Sequence, residues 1–156
     1  MNLFVLHADP AKAAAYHCDV HVVKQILECG QLLSAASQTK ICKYPKSVPK
    51  HPCTLWVAET RDNYRWTLML MASLSGEYTR RYGKVHAYRE LIHLLDKASS
   101  NVPDGRQTAF VQCMPDEFIH SNYVTAYRNY YKHKAETFKR PMTWRVPAHR
   151  PRWMAE

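Results

Sequence analysis

The feature that most constrains this 156-residue sequence is the stretch from Thr54 to about Tyr82. Wound at 3.6 residues per turn, it gathers Trp56, Val57, Tyr64, Thr67, Leu68, Leu70, Met71, Leu74, Tyr78 and Tyr82 on one broad flank, and no proline interrupts it. Such a segment predicts a long central core helix, bent near Gly76, that the rest of the chain must cover.

Flanking segments supply the cover. Asp9 followed by Pro10 has the form of an N-cap with proline at the first helical position, and the alanines from Ala11 to Ala15 continue that helix. From Asp19 onward Val22, Ile26, Cys29 and Leu33 recur at helical spacing with Val23 and Leu27 beside them, which predicts a core-facing flank. The opposite flank carries His21, Lys24, Gln25, Glu28 and Gln31. Gly83 ends the central helix, a further amphipathic helix runs from Val85 to Ala98, and a last one begins near Ser121 with Tyr123, Tyr127, Tyr130 and Lys134 on one stripe. The stretch from Thr39 to Pro52, rich in proline and basic residues, reads as a loop.

The expected fold is therefore all-α: a compact single-domain bundle of about four to five helices over 1–156, with a short extended N-terminus at Leu3–Leu6 and an irregular basic, aromatic tail over 139–156. A chain of this length can bury roughly two thirds of the surface its unfolded form exposes, so it needs no covalent staple. Five cysteines without a paired C-x-x-C motif fit a reducing compartment better than a disulfide framework. No window approaches about eighteen uninterrupted apolar residues and the first ten residues lack a secretory pattern, so a cytoplasmic protein with no membrane association is expected. Nucleotide-cradling glycine loops and a G-x-S-x-G elbow are absent, and no cofactor is expected.

Charge narrows the partner. Lys and Arg number 22 against 13 Asp and Glu, giving a formal net charge of +9, which attracts polyanions, nucleic acid foremost. Aromatic and basic residues alternate in "NYRW", "EYTRRYGKVH", "AYRNYYKHK" and the Trp144 to Trp153 tail. Cationic groups neutralise phosphates and aromatic rings stack on unpaired bases, so the mixture fits a DNA or RNA groove. Arg80, Arg81, Lys84, His86, Arg128, Lys132, Tyr131 and Trp144 are the nucleic-acid-binding candidates. Packing between helices competes for the same aromatic residues, Trp56, Tyr64 and Tyr78 above all.

Chemistry concentrates in "YHCDVHVVKQILE", Tyr16 to Glu28. His21 and Glu28 lie seven residues apart, almost two helical turns, and share a flank with Lys24. A histidine beside a carboxylate near a basic cleft can move protons or stabilise a developing cation; the bland alternative is a solvated polar flank. His51, Tyr64 and Glu77 are candidates for the cleft around them. His17, Cys18 and His21 are an incomplete zinc set, and Cys53 beside His51 reads as a buried inert thiol, so no metal is expected.

Several of these segments, together with "KHPCTLWVAETRDNYRW", "MPDEF" and "KRPMTW", resemble a family of small tailed-phage proteins of unassigned function. A second resemblance is to the small phage pyrimidine-dimer DNA glycosylases, all-helical enzymes that join base excision to strand cleavage. Asp19, His21 and Glu28 match the Asp-x-His and later glutamate of that family's early helix, Glu77, Arg80, Arg81 and Gly83 match a later helix end, and "KRPMTW" is similar to its C-terminal Arg-Pro-Thr-Trp. The resemblance implies that Glu28 is the catalytic glutamate and His21 the helix histidine. The family's nucleophile is the amine of an N-terminal threonine, whereas this sequence begins Met-Asn and asparagine should impede removal of Met1. Lys24 is then the reserve amine, and Lys24 and Gln25 stand where the family carries phosphate-gripping arginines. The function expected is a phage-encoded DNA-binding protein of base-excision type acting on a damaged or modified base flipped from duplex DNA. The competing reading is a non-catalytic early phage protein that binds host nucleic acid or a host protein.

Overall fold

A computed structural model describes residues 2–155, and its regular structure among these residues is entirely helical. Six α-helices, α1 (Pro10–Tyr16), α2 (Asp19–Ala36), α3 (Pro52–Glu59), α4 (Arg61–Tyr82), α5 (Ile92–Ala98) and α6 (Tyr123–Thr137), are joined by loops and short 3-10 turns. Asp9 caps α1 as its spacing predicts, its carboxylate accepting from the backbone N–H groups of Ala11 and Lys12 at 2.8 and 3.1 Å.

The central helix is divided, and not at Gly76. The break falls at Thr60, which is extended and caps α4 by accepting from the Asn63 N–H at 3.2 Å. Asn63 secures the corner: its side chain donates to Trp56 O and Thr108 Oγ1 and accepts from the Thr108 N–H, tying α3, α4 and the long loop after α5 together. Local polar capping thus outweighs the continuous apolar pattern. Gly83 ends α4 as expected, at φ 64°, where its N–H donates to Thr79 O and a Cβ would be strained.

α4 packs chiefly against α2 and α1. Leu70, Met71 and Leu74 meet Val22, Ile26, Cys29 and Leu33 of α2 in one cluster, all fully buried, each large aliphatic side chain contributing about 1.5–3 kcal/mol. The other flank of α2 departs from expectation. Val23 and Leu27 stand open at 38% and 36% exposure, while His21, Gln25 and Glu28 retain only 4%, 1% and 7%. The extended segment Asn2–Leu6 and helix α6 lie over them: Phe4 stacks on His21 at 5.0 Å, and Tyr131 of α6 bonds His21.

The tail after α6 is irregular but anchored. Asp19 accepts from Thr143 Oγ1 and the Arg145 N–H, its own N–H donates to Thr143 O, and Trp144 Nε1 donates to Tyr16 O. Trp153 and Met154 are buried in the core cluster. No helix among the described residues is long and apolar enough to cross a membrane.

Candidate active site

Helix α2 turns His21, Lys24, Gln25 and Glu28 toward one small cavity of about 230 Å³. Spacing of three and four residues puts them on one face, the N-terminal segment adds Asn2 and Phe4, and the far wall comes from Cys113 and from Tyr130 and Lys134 of α6 with Phe138 at its end. The three catalytic candidates read from the sequence therefore share one hollow.

Glu28 is held from several sides. Gln25 Nε2 donates to Glu28 Oε2 at 2.6 Å, the Asn2 backbone N–H approaches the same oxygen at 3.4 Å, and Lys24 Nζ lies 3.7 Å from Oε1. Gln25 Oε1 is buried and without a hydrogen-bond partner among the described residues, leaving an acceptor in the cavity wall. Lys134 rests its ammonium 5.1 Å from the centre of the Tyr130 ring, an attraction that keeps a cation beside the cavity.

His21 is placed differently from a proton shuttle. Burial, with His17, Lys134 and Lys24 nearby, pushes its pKa down to about 3, so the ring is neutral near neutral pH. Its Nδ1 and Tyr131 Oη share a 2.7 Å hydrogen bond, and Tyr131 Oη also accepts from the Cys18 N–H. His21 is thus a fixed wall element.

A larger groove of about 1030 Å³ adjoins the cavity and shares Lys24 and Phe138 with it. Val20, Val23, Leu27, Tyr82, Tyr88 and Met142 make it apolar, while Lys139, Arg140 and His86 lie along it. The exposed Val23 and Leu27 find their setting here.

The other sequence candidates scatter. Arg81 is enclosed, its guanidinium donating to Ala15 O, His17 O, Asp19 and Glu77; Glu77 also holds Arg80 through two bonds. Arg128 donates to Leu6 O and lies over the rings of Tyr16 and Trp153. Tyr131 is fully buried, Trp144 is half-buried on Tyr16 O, and Tyr64 is buried with its hydroxyl donating to Leu95 O and its pKa pushed up to about 12 by desolvation. These groups hold the fold and are not available as phosphate or cleft contacts. Arg80 and Lys84 remain at the surface, with Lys132 half-buried. Neither His51 nor His86 lines the cavity with His21. His51 caps α3, its Nδ1 accepting from the Cys53 N–H at 3.2 Å.

Asn2, Cys113, Tyr130, Lys134 and Phe138 were not singled out for the site by sequence spacing, because chain folding alone brings them there. Only the stripe of Tyr130 and Lys134 on α6 carried a signal.

Comparison with known proteins identifies the family of the first part of the chain. A family model described as pyrimidine dimer DNA glycosylase matches residues 1–91, the part that contains His21, Lys24, Gln25 and Glu28. No curated protein and no solved structure matches.

Proposed function

The chain belongs to the pyrimidine dimer DNA glycosylase family, and from that premise we propose that it excises a damaged pyrimidine from DNA with Glu28 as the catalytic carboxylate. The observation that carries this reading is Glu28 itself, 7% exposed, lining a cavity and bonded by Gln25 at 2.6 Å. Breaking a glycosidic bond leaves positive charge on the deoxyribose as the base departs with the bonding electrons. A fixed carboxylate beside C1′ stabilises that charge without reorganising.

The volumes bear on the substrate. About 230 Å³ falls below the roughly 300–1,000 Å³ typical of drug-sized ligand sites, so the cavity suits one sugar or base, with the adjoining apolar groove receiving neighbouring unstacked bases. The unpartnered Gln25 Oε1 offers an acceptor to a pyrimidine imide N–H. Lys24, Lys134, Lys139 and Arg140 surround the two hollows and supply phosphate contacts. Neutral His21 orients the wall and is not the acid that protonates the leaving base.

Strand cleavage needs an amine that condenses with the C1′ aldehyde and expels water. Lys24, which borders both hollows, is the side chain in place for it. A phage source rests on the segments quoted above.

The test uses a duplex with one cyclobutane pyrimidine dimer. Wild-type protein should cleave the glycosidic bond, and Glu28→Gln protein should bind the duplex yet lose at least about a hundredfold in excision rate. Borohydride trapping with peptide mapping identifies the amine. If wild-type protein neither cuts nor prefers the lesion, the glycosylase reading is withdrawn; a nuclease-resistant complex with a host protein would then support an adaptor.

A further inference from the structure

We propose that His51, Cys53 and Cys113 form a binding site for one zinc(II) ion. Their imidazole nitrogen and two thiol sulfurs lie within 4.8 Å of one another although Cys113 is sixty residues from Cys53 in sequence. Ligands around tetrahedral zinc, at about 2.0–2.3 Å from the metal, sit roughly 3.5–3.8 Å apart. Closing the set requires an inward movement of about 1 Å, within reach of side-chain rotation.

The chemistry of the three donors is that of a borderline-soft cation. Cys53 is fully buried, while His51 and Cys113 are half-buried, and water would complete the tetrahedron as fourth ligand. Cys53 occupies the second position of α3, which fixes its backbone beside that of His51. The His51 Nδ1 accepts from the Cys53 N–H at 3.2 Å, which fixes the ring at the start of α3.

Outer contacts link this site to the cavity. Asn2 Nδ2 donates to Cys113 O at 2.6 Å, and Asn2 Oδ1 accepts from Cys53 Sγ and Tyr127 Oη at 3.7 and 3.4 Å. Asn2 and Cys113 both line the hollow that holds Glu28, so the ion would brace that wall. Its role is structural support.

The test is metal analysis of the whole protein, kept under a non-thiol reductant after expression with added zinc. The expected result is one zinc per chain, and after chelation a titration with cobalt(II) that develops thiolate-to-cobalt charge-transfer absorption. Cys113→Ser should lower zinc content to background while keeping the wild-type helical circular dichroism, and His51→Gln should weaken cobalt binding at least tenfold. Both positions are half-buried, so the result does not depend on whether Cys53→Ser folds. Wild-type protein without zinc or the cobalt band, or Cys113→Ser protein that binds as tightly as wild type, overturns the proposal.

Discussion

Asn2 and Glu28, 26 residues apart in the chain, meet at the wall of one cavity, where the Asn2 N–H lies 3.4 Å from Glu28 Oε2. That carboxylate would face solvent if α2 were a surface helix. The N-terminal segment encloses it, and enclosure strengthens every electrostatic contact it makes.

Gln25 fixes the carboxylate through its 2.6 Å bond. Replacing it by leucine keeps the approximate volume, removes the bond and removes the unpartnered acceptor. Single-turnover excision should slow about tenfold, with folding stability lower by about 1–2 kcal/mol. An unchanged rate would show that Gln25 neither positions Glu28 nor reads the base.

Lys24 is an exposed cation and Lys134 a half-buried one, both on the cavity. If each neutralises one phosphate, Lys24→Ala and Lys134→Ala should each reduce the slope of log affinity against log salt by about 1. Measured by fluorescence anisotropy, slopes equal to wild type would move the DNA track away from these residues.

Acid should unfold the protein through two histidines. Burial holds His17 down to about 4 and His21 to about 3, against an ordinary 6.5. Between those values the unfolded chain binds protons that the folded chain does not, so stability rises with pH in this window. The contribution is complete above pH 6.5, declines as pH falls, and is lost near pH 3, in total on the order of several kcal/mol. Urea midpoints measured from pH 7 to pH 5 should fall steadily; a flat profile contradicts the assignment.

Arg81 is a fold-holding cation. Its side chain is fully enclosed and pairs with Asp19 and Glu77 at 3.1 and 2.9 Å. Arg81→Ala takes the buried cation from Asp19, leaves Glu77 with Arg80 alone, and should cost about 3–5 kcal/mol in denaturant unfolding. Lys84→Ala, on the exposed turn after α4, should leave the unfolding midpoint where it is.

Periodicity and capping made much of the fold legible. Val22, Ile26, Cys29 and Leu33 announced the buried face of α2, Asp9 and Pro10 the start of α1, and Gly83 the end of α4. The break at Thr60 was hidden because the apolar pattern runs straight across it, and the polar corner that wins depends on Thr108, far along the chain. Glu28, Lys24 and His21 were legible as a trio because one helix carries them. Their burial was not, since it comes from Asn2, Phe4 and α6. Basic residues misled most: Arg81 and Arg128 look like phosphate grips in sequence, and only packing shows that they are spent inside the protein.

The family match stops at residue 91, yet Tyr130, Lys134 and Phe138 close the far side of the hollow. The shared portion by itself amounts to a trough with one side missing. Substitutions on α6 can therefore reshape the missing side of this hollow while the helix that carries Glu28 stays as it is.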